Sequence, residues 1–339
     1  MNNTENKQLI QQLRDFFRTE NFELTRLNGG ASSRKYYLIE FNTPSYFGRS
    51  KVVLMTVPLN ERTVMEDYMN IDYYLRRHGI KTPRLFEMEL SHGWIFQEYL
   101  IHPLLNQYLE THPEHLENAL LELFNFLKEL QARCTFEQHC PAFQRKFDIN
   151  KYLYEFNFHV SEQLLKQYLK VENPQDYTRE LAEIISHFLD IDYPIFVHRD
   201  FQSSNLFIET IGESYNFYVI DFQDARHGTP IYDLVSFLWD SYIHIPENLR
   251  NTLIKEYFSF LIELNIQWDW EYYRKIVDFT VIQRKLHDAG AFAYNHLRFN
   301  NAHYTPYIKP AIEMALHLMH SYREFHNIAP RWDSLLKKL

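Results

Sequence analysis

The sequence predicts an α+β fold with two lobes, in which a small β-rich N-terminal lobe precedes a larger, mainly helical C-terminal lobe. Short β-prone runs, separated by glycine, proline and polar residues, are concentrated in the N-terminal part of the chain. From about residue 114 the apolar residues recur with helical spacing instead. The 339 residues are enough for two lobes with a substantial core. We assign residues 1–96 to the N-terminal lobe, 97–102 to a hinge and 103–339 to the C-terminal lobe.

The elements of the N-terminal lobe follow from local periodicity and turn residues. Residues 6–19 place their apolar side chains on one face of a helix. Thr63 and Glu66 have the spacing of a capping box, which predicts the start of a second helix, and Gly79 predicts its end. The remaining elements are a small-residue turn over 28–33, strands over 36–41 and 52–55, and a buried strand within 93–100 that runs into a polar turn.

The C-terminal lobe combines predicted helices with one strand pair. The helices are predicted over residues 116–130, 148–170, 177–190, 250–264, 271–289 and 308–326, with a further helix beginning at Tyr232. Residues 205–208 and 217–220 are short, apolar and β-prone, and a polar loop with Gly212 separates them, so they predict an antiparallel hairpin. The start of its first strand would lie beside the end of its second strand. The hairpin therefore brings Asn205 next to Asp221.

The residues around this hairpin carry the chemistry. His198, Arg199 and Asp200 precede Asn205 in an H-R-D-x-x-x-x-N pattern, and Asp221 follows in an I-D-F segment. Phosphoryl transfer needs a carboxylate that orients the acceptor and oxygen ligands that hold magnesium on the nucleotide phosphates. The order and spacing predict such a site, with Mg2+ rather than zinc or iron as the metal. The alternative is that Asp and Asn only satisfy turn backbone. For His198 and Arg199 we favour structural roles that brace the loop.

Composition and charge exclude several classes of protein. The chain has 45% hydrophobic residues, which is a globular composition, and a net charge of −9, which argues against a broad basic surface for nucleic acid. No apolar run has the length of a membrane span, and residues 1–7 lack a signal pattern. Cys134 and Cys140 form no disulfide framework and have no metal-ligand spacing. We therefore expect a soluble, cytoplasmic protein with no membrane, nucleic-acid or obligate protein partner.

The sequence resembles the aminoglycoside phosphotransferase / choline kinase family, a branch of the protein-kinase-like fold. Within that family it is most similar to the N-acetylmuramate/N-acetylglucosamine anomeric kinases of bacterial cell-wall recycling. The similarity covers roughly residues 24–310 and rests on blocks at 29–37, 53–58, 198–205, 220–225, 228–234, 283–286 and 290–292. The H-R-D and I-D-F elements are specific to the kinase-like superfamily, whereas the D-F-Q-D-A and Q-R blocks point to the cell-wall sugar branch.

The resemblance implies a role for each motif. Asp200 would orient a sugar hydroxyl and accept its proton, while Asn205 and Asp221 would hold the Mg2+ bound to ATP. Asp233 would tie the catalytic loop to the following helix. ATP would contact Gly29, Gly30, Ser32, Ser33 and Lys35 at the glycine turn and Gln97, Glu98 and Leu100 at the hinge. The candidates for contacting the acceptor are Gln202, Asp224, Gln283 and Arg284, each of which could instead brace a helix or loop.

One position departs from the usual pattern of this fold. Kinases place a phosphate-binding lysine in the second strand, where this chain has Met55. Lys51 begins the same strand, but its side chain could point away, and Lys35 or Arg34 beside the glycine turn could supply the cation instead. In kinases a helical glutamate pairs with that lysine. Glu66 is the candidate for this part, although capping explains its position fully.

These observations give three hypotheses of function. The first is an ATP- and Mg2+-dependent kinase that phosphorylates an amino sugar, N-acetylmuramate or N-acetylglucosamine, at the anomeric hydroxyl. The second keeps the chemistry but changes the acceptor to choline, an aminoglycoside or another amino alcohol, whose positive charge usually requires carboxylates or an aromatic cage. The third is a non-catalytic binding protein of the same fold, suggested by the missing strand lysine. We favour the first, because Asp200, Asn205 and Asp221 are all present.

Overall fold

The structure is a computed structural model that describes residues 3–27, 34–43 and 46–337, and its N-terminal lobe is built on one sheet. The sheet is antiparallel and five-stranded, with the order β1-β2-β3-β5-β4. Its strands are β1 (Phe22–Arg26), β2 (Lys35–Phe41), β3 (Lys51–Thr56), β4 (Leu85–Glu89) and β5 (Trp94–Glu98). Helices α1 (Asn3–Phe17) and α2 (Thr63–Arg77) accompany the sheet.

The two faces of this sheet pack against different partners. Leu54 and Phe96 belong to an apolar cluster that also contains Leu13 of α1. Met55 and Ile95 point the opposite way, because side chains alternate along a strand, and they join a core shared with α2 and the C-terminal lobe. All five side chains are fully buried. The inner face of the sheet, defined by Met55 and Ile95, is therefore the face that looks toward the C-terminal lobe.

Helices form most of the C-terminal lobe. They are α3 (Leu105–Thr111), α4 (Leu116–Arg133), α5 (Pro141–Gln144), α6 (Ile149–Glu155), α7 (Gln175–Leu189), α8 (Ile231–Leu238), α9 (Glu247–Phe260), α10 (Trp270–Phe299), α11 (Ile308–Met319) and α12 (Ala329–Leu336). A π-helix, Phe156–Tyr168, continues directly from α6. Strand β6 (Ile195–Val197) pairs with β9 (Arg226–Gly228), and β7 (Leu206–Ile211) forms a hairpin with β8 (Ser214–Val219).

The predicted α+β architecture with two lobes is confirmed. The strands predicted in the N-terminal lobe are β2, β3 and β5, and the predicted hairpin is β7–β8, with Leu206 opposite Val219. Sequence patterns do not predict β1 and β4, which are the two edge strands and are only partly buried. The helix predicted over residues 148–170 is divided into α6 and the π-helix.

Helix α10 continues well beyond the predicted end at residue 289, through Gly290 to Phe299. Gly290 lies against the π-helix at His159. A Cβ atom at this position would lie 2.2 Å from the carbonyl oxygen of His159. Glycine is therefore required by the close approach of the two helices and does not end α10.

The capping box predicted at Thr63 and Glu66 is wrong. Thr63 lies inside α2, and the preceding Arg62 already has helical backbone angles (φ −58°, ψ −30°) with no side-chain capping bond. The chain enters α2 directly from a short 3-10 helix, Leu59–Glu61, and the N–H of Met65 donates to the carbonyl of Arg62 at 2.9 Å. The first turn therefore needs no side-chain cap. Glu66 is exposed on the surface of α2.

Candidate active site

Buried contacts hold the loop that follows β6 at both of its ends. The main-chain N–H groups of His198 and Arg199 donate to the two carboxylate oxygens of Asp233, at 2.7 and 2.9 Å. Asp233 lies fully buried in the first turn of α8, so it ties that helix to the loop. Nε2 of His198 lies 2.9 Å from the carbonyl oxygen of Ile220. Burial lowers the pKa of His198, so the ring is neutral, donates through Nε2 and accepts the N–H of Asp200 at Nδ1.

An arginine of α10 orients Asp200. Nη1 of Arg284 lies 2.9 Å from Oδ1 of Asp200 and also donates to the carbonyl of Arg199. Arg284 is itself held by Asp288, 3.0 Å from its Nε, and by Oε1 of Gln202 at 3.1 Å. Burial alone would raise the pKa of Asp200, but the charges of Arg284 and Arg199 outweigh burial and keep the pKa well below its usual range. Asp200 is therefore an ionised carboxylate in a fixed orientation.

Asn205 and Asp221 lie side by side at the open end of the β7–β8 hairpin. The N–H of Ile220 donates to the carbonyl of Asn205 at 3.1 Å, and Nδ2 of Asn205 donates to the carbonyl of Asp200 at 3.0 Å. This contact leaves Oδ1 of Asn205 as the atom that could bind a cation. Asp221 has a φ of 63°, a left-handed conformation that is uncommon outside glycine and is found at functional sites. An amide oxygen and a carboxylate are hard donors, so the residues present fit Mg2+.

A buried ion-pair network surrounds Arg199, in the loop that follows β6. Arg199 has a φ of 80° and pairs with Glu155 and Asp224, both at 2.8 Å. Glu155 ends α6, is 1% exposed, and also accepts Nε2 of Gln283 at 2.8 Å. Sequence reasoning misses Glu155, because its position four residues after Lys151 is the spacing of an ordinary helical surface pair. The signal that the sequence offers is the aromatic residue on each side of Glu155, Tyr154 and Phe156.

The four candidate acceptor residues gather around this loop but differ in how exposed they are. Gln283 and Arg284 are 1% and 3% exposed, and their polar groups bind Glu155, Asp200 and Asp288. These contacts favour the bracing alternative for both residues. The carboxylate of Asp224 is 56% exposed. Gln202 is partly buried, and its side-chain oxygen accepts from Arg284.

The nucleotide-side candidates are only partly described. Gly29, Gly30, Ser32 and Ser33 lie outside the described residues. Lys35 begins β2, opposite Thr56, and Met55 is fully buried opposite Tyr36. Lys51 begins β3, four residues before Met55, and its Nζ is held by Glu40 at 2.6 Å. In contrast, Nη2 of Arg34 lies 3.1 Å from Oδ1 of Asp221.

The segment predicted as the hinge is linked to the I-D-F segment through α2. Oε1 of Gln97 accepts a hydrogen bond from the hydroxyl of Tyr68, and the ring of Tyr68 lies 4.8 Å from the ring of Phe222. Glu98 is the last residue of β5, and its carboxylate accepts the N–H of Arg84 at 3.1 Å. The chain then passes through Leu100 without regular structure. Strand β5 thus extends into the segment assigned to the hinge.

The two-lobed fold is that of the kinase-like phosphotransferases. The chain belongs to the Phosphotransferase enzyme family, which its sequence matches over residues 23–276. This membership confirms the resemblance inferred from the motifs. The protein is therefore a phosphotransferase with an alcohol group as acceptor, and the hypothesis of a non-catalytic protein is not supported.

Individual relatives agree with this family. The chain is 25% identical to the N-acetylmuramate/N-acetylglucosamine kinase of Neisseria meningitidis serogroup B over 96% of its length and 93% of that protein. It is 26% identical to the kinase of the same name from Pseudomonas aeruginosa, over 80% and 76% of the two chains. Among solved structures, the choline kinase LicA of Streptococcus pneumoniae has a TM-score of 0.64 at 13% identity, covering 94% and 100% of the chains. ADP-bound aminoglycoside phosphotransferase APH(2'')-Ib has a TM-score of 0.59 at 16% identity, covering 92% and 98%.

In the part of the chain that the structure describes, no helix combines the length and the apolarity that crossing a bilayer requires.

Proposed function

We propose that this protein is a cytoplasmic, ATP- and Mg2+-dependent kinase of cell-wall recycling, which phosphorylates N-acetylmuramate or N-acetylglucosamine at the anomeric hydroxyl. The names of the two curated relatives support the acceptor, and the ADP bound in a related phosphotransferase supports the nucleotide. The observation that carries the proposal is the ionised Asp200 beside the Asn205–Asp221 pair. If residues 97–102 divide the two lobes as predicted, the nucleotide would bind between the sheet and this pair.

In this proposal Asp200 acts on the acceptor hydroxyl. Its carboxylate orients the hydroxyl and accepts its proton as the phosphoryl group arrives. Because Arg284 keeps the pKa of Asp200 low, the carboxylate is a weak base. A weak base suits a hemiacetal hydroxyl, which is more acidic than the hydroxyl of an ordinary alcohol such as choline. The ion pair therefore favours transfer to the anomeric oxygen.

Asn205 and Asp221 would hold the metal. Mg2+ bound there would neutralise charge on the phosphates during transfer. The contact from Nδ2 of Asn205 to the carbonyl of Asp200 fixes the amide oxygen relative to the base. The proposed base and Asn205 thus lie in one loop, and Asp221 follows β8 beside Asn205, an arrangement that would bring the two reacting groups together.

The charges beside Asp224 favour a neutral or anionic acceptor over a cationic one. The charge of Arg199 is the main cause that lowers the pKa of Asp224, and Lys151 and Arg226 lower it further. The pKa values of Lys151 and Arg226 are themselves lowered, first by burial and then by Arg199. Asp224 and Glu155 act on the same groups in the opposite direction, so these three cations face two carboxylates here. This balance would accommodate an N-acetyl sugar, or the lactyl carboxylate of N-acetylmuramate, better than choline or an aminoglycoside.

A substrate panel tests the proposal. The protein would be incubated with ATP, Mg2+ and N-acetylmuramate, N-acetylglucosamine, choline or an aminoglycoside, and products assigned by phosphorus NMR. We expect an anomeric sugar phosphate from one or both amino sugars. The matched control is the 1-O-methyl glycoside of N-acetylglucosamine, in which the anomeric oxygen is blocked and no product should form. Phosphorylation of choline alone, or of the blocked glycoside at the parental rate, would contradict the proposal.

A further inference from the structure

The position that usually carries the phosphate-binding lysine holds a residue that cannot contact phosphate. Met55 is fully buried on the inner face of the sheet, where it belongs to the core shared with the C-terminal lobe. A nucleotide triphosphate carries several negative charges, and kinases of this fold meet them with a metal and a cationic side chain. If this protein binds ATP as proposed, its cation must come from another position.

Arg34 shares the inner face of the sheet with Met55. Tyr36 is the residue directly opposite Met55 in the β2–β3 register, and directly opposite residues share a face. Side chains alternate along a strand, so Lys35 lies on the other face. Continuing this alternation to Arg34, the residue just before β2, puts Arg34 on the same face as Tyr36. The electrostatics agree, because the pKa of Tyr36 is raised to about 12, mainly by burial, and both Arg34 and Asp221 act on it.

The side chain of Arg34 reaches Asp221, one of the two proposed metal ligands. Its Nη2 lies 3.1 Å from Oδ1 of Asp221, and the side chain is 14% exposed. Nε2 of Gln223 donates to the same oxygen at 2.8 Å. A guanidinium carries five donors in a planar fork, so one edge can hold a carboxylate while another binds a phosphate oxygen. An arginine is thus suited to join Asp221 to the nucleotide.

We propose that Arg34 binds the phosphates of ATP in place of the strand lysine, and that its contact with Asp221 orients this carboxylate toward the metal. The inference rests on the proposed kinase function and adds the residue that supplies the positive charge. Arg34 directly follows the glycine turn predicted to cover the phosphates. Compared with the usual lysine on β3, the proposed cation lies just before β2 but on the same face of the sheet.

The experiment compares nucleotide binding and kinetics among variants at this position. Arg34→Ala, Arg34→Lys and the double variant Arg34→Ala/Met55→Lys would be titrated with Mg-ADP by calorimetry and assayed with ATP and the amino sugar. Arg26→Ala is the matched control, because Arg26 is exposed and lies opposite Tyr37, on the outer face of the same sheet. Lys35→Ala tests the competing cation.

We expect Arg34→Ala to raise the KM for Mg-ATP and the Kd for Mg-ADP by about 10- to 100-fold, the usual effect of losing a charged hydrogen bond. The KM for the sugar should stay close to the parental value, which separates this role from a purely structural one. The KM for Mg-ATP and the Kd for Mg-ADP of Arg34→Lys should fall between those of Arg34→Ala and those of the parental protein. The double variant should recover part of the nucleotide affinity, because its lysine stands opposite Tyr36. If Met55→Lys disturbs the core, Arg34→Lys still supplies the rescue.

Parental nucleotide affinity in Arg34→Ala, an equal loss for nucleotide and sugar, or a larger loss in Lys35→Ala than in Arg34→Ala would overturn the inference. These outcomes can be distinguished from a failure of the proposed kinase function. If the parental protein itself bound no Mg-ADP and phosphorylated no sugar, the kinase proposal would fail. If the parental protein were active and Arg34→Ala matched it, only the role of Arg34 would fail.

Discussion

At the scale of single residues, the ionisation of Asp200, the proposed base, is set by its ion pair rather than by its burial. Asp200 is surrounded by protein, which by itself would raise its pKa, yet Arg284 and Arg199 hold the pKa below its usual range. Arg284 is in turn neutralised by Asp288 at 3.0 Å. The charge of Arg284 is thus shared between the carboxylates of Asp288 and Asp200, which keeps Asp200 ionised without leaving an unpaired buried cation.

Replacing Asp200 by asparagine tests its role as the base. The amide oxygen of the asparagine could still accept the hydrogen bond from Arg284, so the loop should keep its structure, but the side chain could no longer take a proton. We expect Asp200→Asn to lower kcat by about 10²- to 10⁴-fold while Mg-ADP binding is retained. Steady-state kinetics and calorimetry measure the two quantities. Asp333→Asn is the matched control, since Asp333 lies on α12 and pairs with His320 at the surface. Parental turnover in Asp200→Asn would remove Asp200 from the mechanism.

At the scale of secondary-structure elements, local sequence patterns predict neighbouring elements well, but they do not predict contacts between distant segments. The β7–β8 hairpin and the adjacency of Asn205 and Asp221 follow from two apolar runs and the loop between them, because a short connection fixes the register. The pairing of Arg199 with Glu155 joins segments 44 residues apart and has no local signature. The π-helix could not be predicted from the sequence either, since its apolar spacing resembles that of an α-helix.

Gly290 provides a prediction at this scale. Helix propensity alone would make Gly290→Ala stabilising by about 1 kcal/mol, because glycine is unfavourable within a helix. The new Cβ would, however, lie 2.2 Å from the backbone carbonyl of His159, so α10 and the π-helix would have to separate. We expect Gly290→Ala to lower the free energy of unfolding by about 1–3 kcal/mol, as overpacking does. Chemical denaturation measures this change, and a gain in stability would show that the two helices are not packed as described.

At the scale of the whole molecule, the two lobes are joined through the site. One apolar core contains Met55 of β3, Tyr68 of α2 and residues of the C-terminal helices. Polar contacts add to it: Asp67 of α2 pairs with Arg145 at 2.8 Å, and Arg34 pairs with Asp221 at 3.1 Å. The nucleotide would bind between parts that come together only in the folded protein. Ligand binding should therefore be coupled to the stability of both lobes.

This coupling predicts how the metal and the nucleotide change thermal stability. A ligand that binds only the folded protein adds about 2.7 kcal/mol to the free energy of unfolding at 100 times its Kd. We expect ATP with Mg2+ to raise the Tm by several degrees, and removal of the metal with EDTA to cancel most of this gain. Asn205→Ala and Asp221→Asn should lose the Mg2+-dependent part of the shift. Asn118→Ala, which removes a surface hydrogen bond to the carbonyl of Glu213, should keep the full shift. An Mg2+-dependent shift that survives in both site variants would mean that the metal is held elsewhere.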